Sequence, residues 1–178
     1  YRTDEFIPLH APVFRGRERE LVVDTIDSTF VSSVGGYVDR FEKDMAAFTA
    51  SPRAVAVMNG TAALHIALKL AGVLPGDLVV TQSLTFVATC NAIAYCSAEP
   101  LFVDVDRHTL GLSPTALDAW LSEHALIDDH GDCRTRVGQR RIRACLPMHT
   151  FGHPADLDGL VEVCARWNIC LVEDAAES

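Results

Sequence analysis

Short apolar runs alternate with amphipathic stretches along most of the chain. Runs rich in Val, Ile, Leu and Ala predict β-strands at Ala54–Met58, Leu78–Thr81, Leu101–Val105, Arg143–Met148 and Ile169–Glu173. Between the strands, apolar residues recur at helical spacing, which predicts helices at Thr61–Ala71, Phe86–Tyr95, Pro114–Ala125 and Asp156–Trp167. Alternating strands and helices are typical of βαβ units, so we expect an α/β fold with a mostly parallel sheet.

The first 50 residues have a different pattern. Two amphipathic helices are predicted at Gly16–Asp27 and Tyr37–Phe48, joined by the small polar stretch Ser32–Gly36. This link is interpreted as flexible or ligand-facing. Later in the chain, Asp128–Arg141 is a long polar interruption with mixed charges, and we expect a solvated surface loop there.

Composition and charge restrict the classes of function that the sequence favours. The chain has 178 residues, 49% of them hydrophobic and 22% charged, which is typical of a globular domain. Its formal net charge of −9 does not favour binding to nucleic acid or to an anionic membrane. No membrane span or signal-peptide core is evident, so a cytoplasmic location is expected. The six cysteines form no Cys-x-x-Cys pair, which favours reduced thiols.

Candidate chemistry follows the predicted strands, because ligands of open α/β sheets bind at the carboxyl ends of the strands. The first strand is followed by a turn with Gly60, Thr61 and Ala62, which opens a helix. Glycine allows close approach of the backbone, and a helix N-terminus offers free N–H groups to a phosphate. An ordinary turn capped by Thr61 is the alternative. The sequence contains neither a Gly-x-Gly-x-x-Gly nor a P-loop motif.

An aromatic ring and a carboxylate are expected at the same edge of the sheet. Phe86 follows the second strand, where it could lie over a flat heterocycle or pack in the core. Asp174 follows the fifth strand, where it could pair with a protonated pyridine nitrogen or cap a helix. A pyridine nitrogen kept protonated in this way is what an electron-sink cofactor requires.

Two other kinds of site are disfavoured. His149, His153 and Asp156 are close in sequence, but Gly152 and Pro154 interrupt the helix that would align two histidines on a metal, so no metal site is predicted. A serine-hydrolase elbow of the Gly-x-Ser-x-Gly type is also missing.

Taken in order, several motifs resemble the amino-terminal half of the DegT/StrS family of sugar aminotransferases, a branch of the fold-type-I pyridoxal-phosphate enzymes. The similar runs are Phe30–Gly35, Asn59–Leu64, Thr85–Thr89, Phe102–Asp106 and Glu173–Ala176. They cover nearly the whole chain. Two further runs, Tyr37–Glu42 and His149–Asp156, look most like the subgroup that aminates nucleotide-linked 4-keto-6-deoxy sugars in legionaminic-acid-type or bacillosamine-type pathways.

The resemblance implies a three-layer large domain like that of aspartate aminotransferase, with residues 1–50 as a helical segment and 51–178 as the first part of an incomplete cofactor domain. It also implies roles for five residues. Gly60, Thr61 and Ala62 would hold the phosphate of pyridoxal 5′-phosphate, Phe86 would stack on its ring, and Asp174 would pair with the ring nitrogen.

Three more residues receive roles from the resemblance. Glu177 stands where the family places a polar residue near the phenolic oxygen of the ring, often Gln or His. Ser32 and Ser33 would lie near the sugar nucleotide, in a site shared across a homodimer.

The implied reaction moves an amino group, with glutamate as the expected donor, to C4 of a nucleotide-linked keto-deoxy sugar. The family also needs a lysine downstream of the Asp174 motif to form the internal aldimine. The only lysines here, Lys43 and Lys69, lie in predicted helices outside the family motifs. We therefore expect the chain to be the amino-terminal part of a longer enzyme and inactive alone.

Two alternatives remain open at this point. One is a natural short protein that binds pyridoxal phosphate or a nucleotide sugar, or pairs with a full-length subunit, without catalysis. The other is an α/β domain that binds nucleotide sugars without pyridoxal phosphate.

Overall fold

The computed structural model of the protein describes residue 6 and residues 12–178. The chain divides into two compact units, residues 1–56 and residues 57–178. The boundary predicted from the sequence lies six residues earlier, between residues 50 and 51.

The first unit contains two helices, α1 (Glu18–Asp27) and α2 (Gly36–Phe48). Both match the predicted helices to within two residues at each end. The first turn of α1 carries Glu18 and Glu20, whose negative charges favour the positive end of the helix dipole. No residue of either helix is buried, so this unit has no core of its own among its described residues.

The second unit is built on a parallel sheet. The strands of this unit are β1 (Leu78–Gln82), β2 (Glu99–Val103), β3 (Ala125–Ile127), β4 (Cys133–Thr135), β5 (Ile142–Cys145) and β6 (Cys170–Leu171). The main sheet has the order β2-β1-β5-β6, and all its neighbouring strands are parallel. Every residue of the central strand β1 is buried, as a strand covered on both faces requires.

Four helices cover the two faces of this sheet: α3 (Gly60–Leu70), α4 (Val87–Tyr95), α5 (Pro114–His124) and α6 (Leu157–Arg166). Side chains alternate between the faces of a strand, and Val79 and Val80 show the result. Val79 packs in a cluster with buried residues of α3 and α4, whereas Val80 packs in a second cluster with residues of α5 and α6. The predicted α/β fold with three layers is therefore confirmed.

The predicted strand at Ala54–Met58 is wrong. The segment has no strand pairing among the described residues, and Val55 and Met58 are 76% and 89% exposed. The backbone N–H of Ala56 donates instead to the carboxylate of Glu42 at 2.8 Å. An apolar, β-branched run becomes a strand only where a neighbouring strand takes up its backbone groups, and no described strand does so here.

The predicted solvated loop at Asp128–Arg141 is also corrected. Strands β3 and β4 pair antiparallel at this point, and Cys133 is buried. Arg134 forms ion pairs with Asp128 and Asp132, so the mixed charges neutralise each other within the excursion. The charge run is therefore a folded hairpin in which Arg134 pairs with two of the acidic residues.

Candidate functional site

A cavity of about 290 Å³ lies at the carboxyl end of the sheet in the second unit. Its volume is close to the lower end of the range for small-molecule sites. Of the residues predicted to hold a cofactor, Gly60, Thr61, Phe86, Asp174 and Glu177 line this cavity. Separate segments of the chain supply them, and the parallel topology brings the segments together.

The N-terminus of α3 forms one wall of the cavity. Asn59 caps the helix, because its Oδ1 accepts a hydrogen bond from the Ala62 N–H at 2.8 Å. The cap is thus Asn59 and not Thr61. The N–H groups of Gly60 and Thr61 make no hydrogen bond within residues 12–178, and a Cβ added at Gly60 would meet nothing within 4 Å. Two free donors and open space at a helix N-terminus fit a phosphate group.

Ala62 differs from its two neighbours. Its N–H already donates to the Asn59 cap, and Ala62 does not line the cavity. A contact between this N–H and a phosphate would require the capping bond to be exchanged.

Phe86 directly precedes α4 and is 66% exposed. The alternative of core packing therefore does not hold for this residue. An aromatic side chain exposed at the wall of a cavity can cover one face of a flat ring with apolar surface.

Asp174 is held on both its backbone and its side chain. Its backbone N–H donates to Pro147 O at 2.9 Å, and its carbonyl accepts from the His149 N–H at 3.1 Å, which extends the pairing of β5 with β6. On the side chain, the Thr89 hydroxyl donates to Oδ2 at 2.6 Å and the Ala176 N–H reaches Oδ1 at 3.3 Å. Residues 175–178 form no helix in the structure, and the alternative of a helix cap for Asp174 stays a prediction from the sequence.

The Asp174 carboxylate is 4% exposed and has no ion pair with Lys, Arg or His in the described chain. A buried charge without a counter-charge costs several kcal/mol, of order 2–7 kcal/mol even for neutral polar groups without partners. The site therefore favours a cationic group next to Asp174. A protonated pyridine nitrogen meets this requirement, and the free N–H groups of α3 meet that of a phosphate on the same ligand.

Glu177 has a structural partner. Its Oε2 accepts the Phe151 N–H at 2.7 Å, and Phe151 has the left-handed φ of 57°. Gly152 follows with φ 80°, and a Cβ added there would lie 2.8 Å from the Glu177 carbonyl oxygen. Glu177 thus fixes a tight turn beside the cavity that it lines.

The residues considered for a metal have separate roles. The Ala155 N–H donates to His149 Nδ1 at 3.1 Å, so the ring proton lies on Nε2, which donates to Glu173 at 3.2 Å. Both ring nitrogens of this buried histidine are therefore engaged. Asp156 caps α6 through the Gly159 N–H at 3.1 Å.

Ser32 and Ser33 lie in the first unit, between α1 and α2. Ser32 lines a cavity of about 430 Å³ within that unit, together with Phe30, Gly35 and Tyr37, whereas Ser33 does not line it. Their predicted contact with the sugar nucleotide stays a prediction.

Thr89 is a further residue of the site that the sequence motifs did not indicate. It occurs in the run Thr85–Thr89, where only Phe86 was assigned a role. Thr85 lies two residues before α4 and Thr89 lies in the first turn of α4, so helical spacing does not relate the two residues and no local signal indicated the role of Thr89.

The fold and the cavity define a class. This is the α/β cofactor-binding fold of the fold-type-I pyridoxal-phosphate aminotransferases. Within that class, the chain belongs to the DegT/DnrJ/EryC1/StrS aminotransferase family, whose model matches residues 13–178. Aminotransferases of this family depend on pyridoxal 5′-phosphate. The resemblance of the sequence motifs to this family is thereby confirmed.

Individual relatives support the assignment. The chain is 37% identical over 172 residues to GDP-perosamine synthase of Caulobacter vibrioides, covering 97% of this chain and 42% of that protein. It is 34% identical to the spore coat polysaccharide biosynthesis protein SpsC of Bacillus subtilis, covering 99% of this chain and 41% of SpsC. The aminotransferase from Psychrobacter cryohalolentis superimposes with a TM-score of 0.79 at 27% identity, covering 94% of this chain and 38% of that structure.

The chain thus spans about two fifths of the length of the curated relatives that it matches. Among residues 12–178, no helix is long and apolar enough to cross a membrane.

Proposed function

We propose that this chain holds pyridoxal 5′-phosphate or its amine form as part of an aminotransferase that acts on a nucleotide-linked keto-deoxy sugar. The observation that carries the proposal is the cavity of the second unit. This cavity of about 290 Å³ is lined by a helix N-terminus with two free N–H groups, by an exposed aromatic ring and by a buried carboxylate without a counter-charge.

Each residue contributes a distinct contact. The N–H groups of Gly60 and Thr61 bind the phosphate, with Ala62 joining if its capping bond is exchanged. Phe86 covers the ring, and Asp174 keeps the proton on the ring nitrogen. Glu177 lies near the phenolic oxygen, where its engagement with the Phe151 N–H fixes its position.

The bound cofactor supplies an electron sink that stabilises negative charge at the carbon bearing the amino group. The chain's own residues bind, orient and set the protonation of that ring. Asp174 matters most, because a protonated ring nitrogen is the group that accepts the electrons.

The substrate assignment rests on the relatives. GDP-perosamine synthase and SpsC favour an amino transfer to a nucleotide-linked sugar in polysaccharide biosynthesis. We propose C4 of the sugar as the acceptor carbon, glutamate as the donor, and Ser32 and Ser33 as substrate contacts. A homodimer that shares its sites and a cytoplasmic location stay predictions from the sequence.

We propose that the 178 residues alone do not complete the reaction. In the family, the lysine that holds the cofactor covalently lies downstream of the Asp174 motif, whereas Lys43 lies in α2 and Lys69 in α3. Lys69 is in the last turn of α3, nine residues from Gly60, or about 13 Å along the helix axis. It lies at the opposite end of the helix from the proposed phosphate contacts.

Equilibrium titration with pyridoxamine phosphate tests the cofactor site, since this amine form needs no covalent lysine. Inorganic phosphate is expected to compete, and F86A is expected to weaken binding about tenfold, because base-to-aromatic stacking contributes roughly 1–3 kcal/mol. V137A is the control, since Val137 is also an exposed apolar residue, at 89%, but lies in the hairpin excursion. Affinity that is unchanged in F86A, or absent in the wild type, would contradict the proposed site.

The substrate is tested separately. Calorimetric titration with a GDP-linked 4-keto-6-deoxyhexose is expected to show binding, and S32A is expected to weaken it. S51A is the control and should leave the affinity unchanged, because Ser51 is an exposed serine of the same unit. Incubation of the chain with pyridoxal phosphate, glutamate and this sugar nucleotide is expected to yield no amino sugar. Product formation would show that the chain is catalytic by itself.

A further inference from the structure

We propose that Thr89 is a positioning residue that orients the Asp174 carboxylate and keeps it ionised for the cofactor's ring nitrogen. This inference rests on the proposed function, because it assigns a partner to the residue that would face the ring. Its evidence is a pair of hydroxyl groups, that of the half-buried Thr85 and that of the buried Thr89, which ends on Asp174.

The direction of each hydrogen bond follows from proton counting. An ionised carboxylate only accepts, so the single hydroxyl proton of Thr89 is donated to Asp174 Oδ2, at 2.6 Å. The Thr85 hydroxyl lies 2.7 Å from that of Thr89. Since the Thr89 proton is already used, Thr85 is the donor of the second bond, and its single proton is shared with Met148 Sδ, which lies 3.2 Å from the Thr85 oxygen. The result is a relay from Thr85 to Thr89 to Asp174.

Such a relay stabilises negative charge. Each hydroxyl polarises the next, and the bond that reaches the carboxylate is charge-assisted. Thr89 is fully buried and Asp174 is 4% exposed, so water cannot replace this donor without a change in packing. Among residues 12–178, the only other donor to the carboxylate is the Ala176 N–H, at the longer distance of 3.3 Å.

The relay also leaves one oxygen available. Thr89 occupies Oδ2, whereas Oδ1 has only the long contact with Ala176. Oδ1 therefore keeps acceptor capacity for a ligand. Because Thr89 lies on α4 and Asp174 follows β6, the hydroxyl fixes the side-chain rotamer of Asp174 against a neighbouring element.

The first experiment uses the free chain and needs no cofactor. T89V replaces the hydroxyl with a methyl group of similar volume, and T89S keeps the hydroxyl. We expect the Asp174 carboxylate to be protonated in T89V at a pH where it is still ionised in the wild type and in T89S. Carbon-13 NMR of labelled aspartate measures the protonation, and D174N assigns the Asp174 signal. Identical Asp174 titrations in T89V and the wild type would overturn the inference while leaving the proposed function intact.

The second experiment measures the affinity for pyridoxamine phosphate between pH 5 and pH 8. Binding of a ring cation requires an ionised Asp174, so the ratio of the T89V dissociation constant to that of the wild type is expected to rise by about tenfold or more as the pH falls. Other titratable groups near Asp174 are Glu173, Glu177 and His149, and the ratio removes their effects because all variants share them.

A purely structural role for Thr89 gives a different result. It would weaken binding by a constant factor at every pH, and a flat ratio would therefore overturn the inference. T85V is the matched control, because it keeps the direct bond to Asp174, and we expect a change below about threefold. If the wild type binds no pyridoxamine phosphate at any pH, the proposed function fails, and the NMR titration still decides the role of Thr89.

Discussion

The ion pair between Asp77 and Arg141 yields a quantitative prediction for the stability of the second unit. Asp77 is 6% exposed and lies just before β1, whereas Arg141 lies just before β5. The guanidinium donates Nε–H to Oδ1 at 3.0 Å and Nη2–H to Oδ2 at 2.6 Å, and the Leu74 N–H also donates to Oδ2, at 2.8 Å. The pair joins the loop after α3 to two central strands.

The expected loss of unfolding free energy follows from the charge of Arg141, which D77A leaves without its partner. Loss of one partner of a buried pair costs about 3–5 kcal/mol, because the other charge is left without compensation. Arg141 keeps a bond to Gly72 O at 3.1 Å and a contact with Asp132 at 4.0 Å, and its side chain is 18% exposed. We therefore expect the lower end of the range, about 3 kcal/mol.

Urea unfolding followed by tryptophan fluorescence is the assay. Both tryptophans, Trp120 and Trp167, lie in the second unit, so the signal reports its unfolding alone. The double variant D77A/R141M is expected to be no less stable than D77A, since no unpaired charge remains. E162A, at an exposed acid on α6, is the control and should change stability by less than about 0.5 kcal/mol. A loss below about 1 kcal/mol for D77A would refute the reasoning.

Three further predictions concern local features. The hydrogen bond from Arg134 lowers the pKa of Asp128. The ionised Asp128 therefore stabilises the folded state above the ordinary aspartate pKa, and this contribution is lost as the pH falls through the lowered pKa. D128N should therefore lower the melting temperature at pH 7 and less so at pH 3; an equal effect at both would contradict this. G152A should destabilise the second unit by about 1–3 kcal/mol, because of its positive φ and the close Glu177 carbonyl, and an unchanged urea midpoint would exclude this strain. Burial raises the pKa of Cys133 to about 12, so a thiol reagent should label that cysteine only after unfolding, and rapid labelling of the native chain would count against its burial.

The sequence predicted those parts of the fold whose signals are local. Helical spacing predicted the six α-helices found in residues 12–178, and the apolar run Leu78–Thr81 predicted the central strand β1. Asp174 was found because an acid at the end of a parallel strand lies at the edge where ligands bind.

The errors arose where long-range contacts decide the structure. Ala54–Met58 has the composition of a strand, yet pairing depends on a neighbour that no local pattern specifies. The charges around Arg134 were expected to be solvated, but they pair across a hairpin. Thr89 was not singled out because its partner, Asp174, lies 85 residues later in the chain.

A crystal structure of the chain with pyridoxamine phosphate tests the central claim most directly. We expect the phosphate at the N-terminus of α3 against Gly60 and Thr61, the ring beside Phe86, and the ring nitrogen within hydrogen-bonding distance of Asp174. A phosphate bound elsewhere, or a ring nitrogen that faces away from Asp174, would contradict the account.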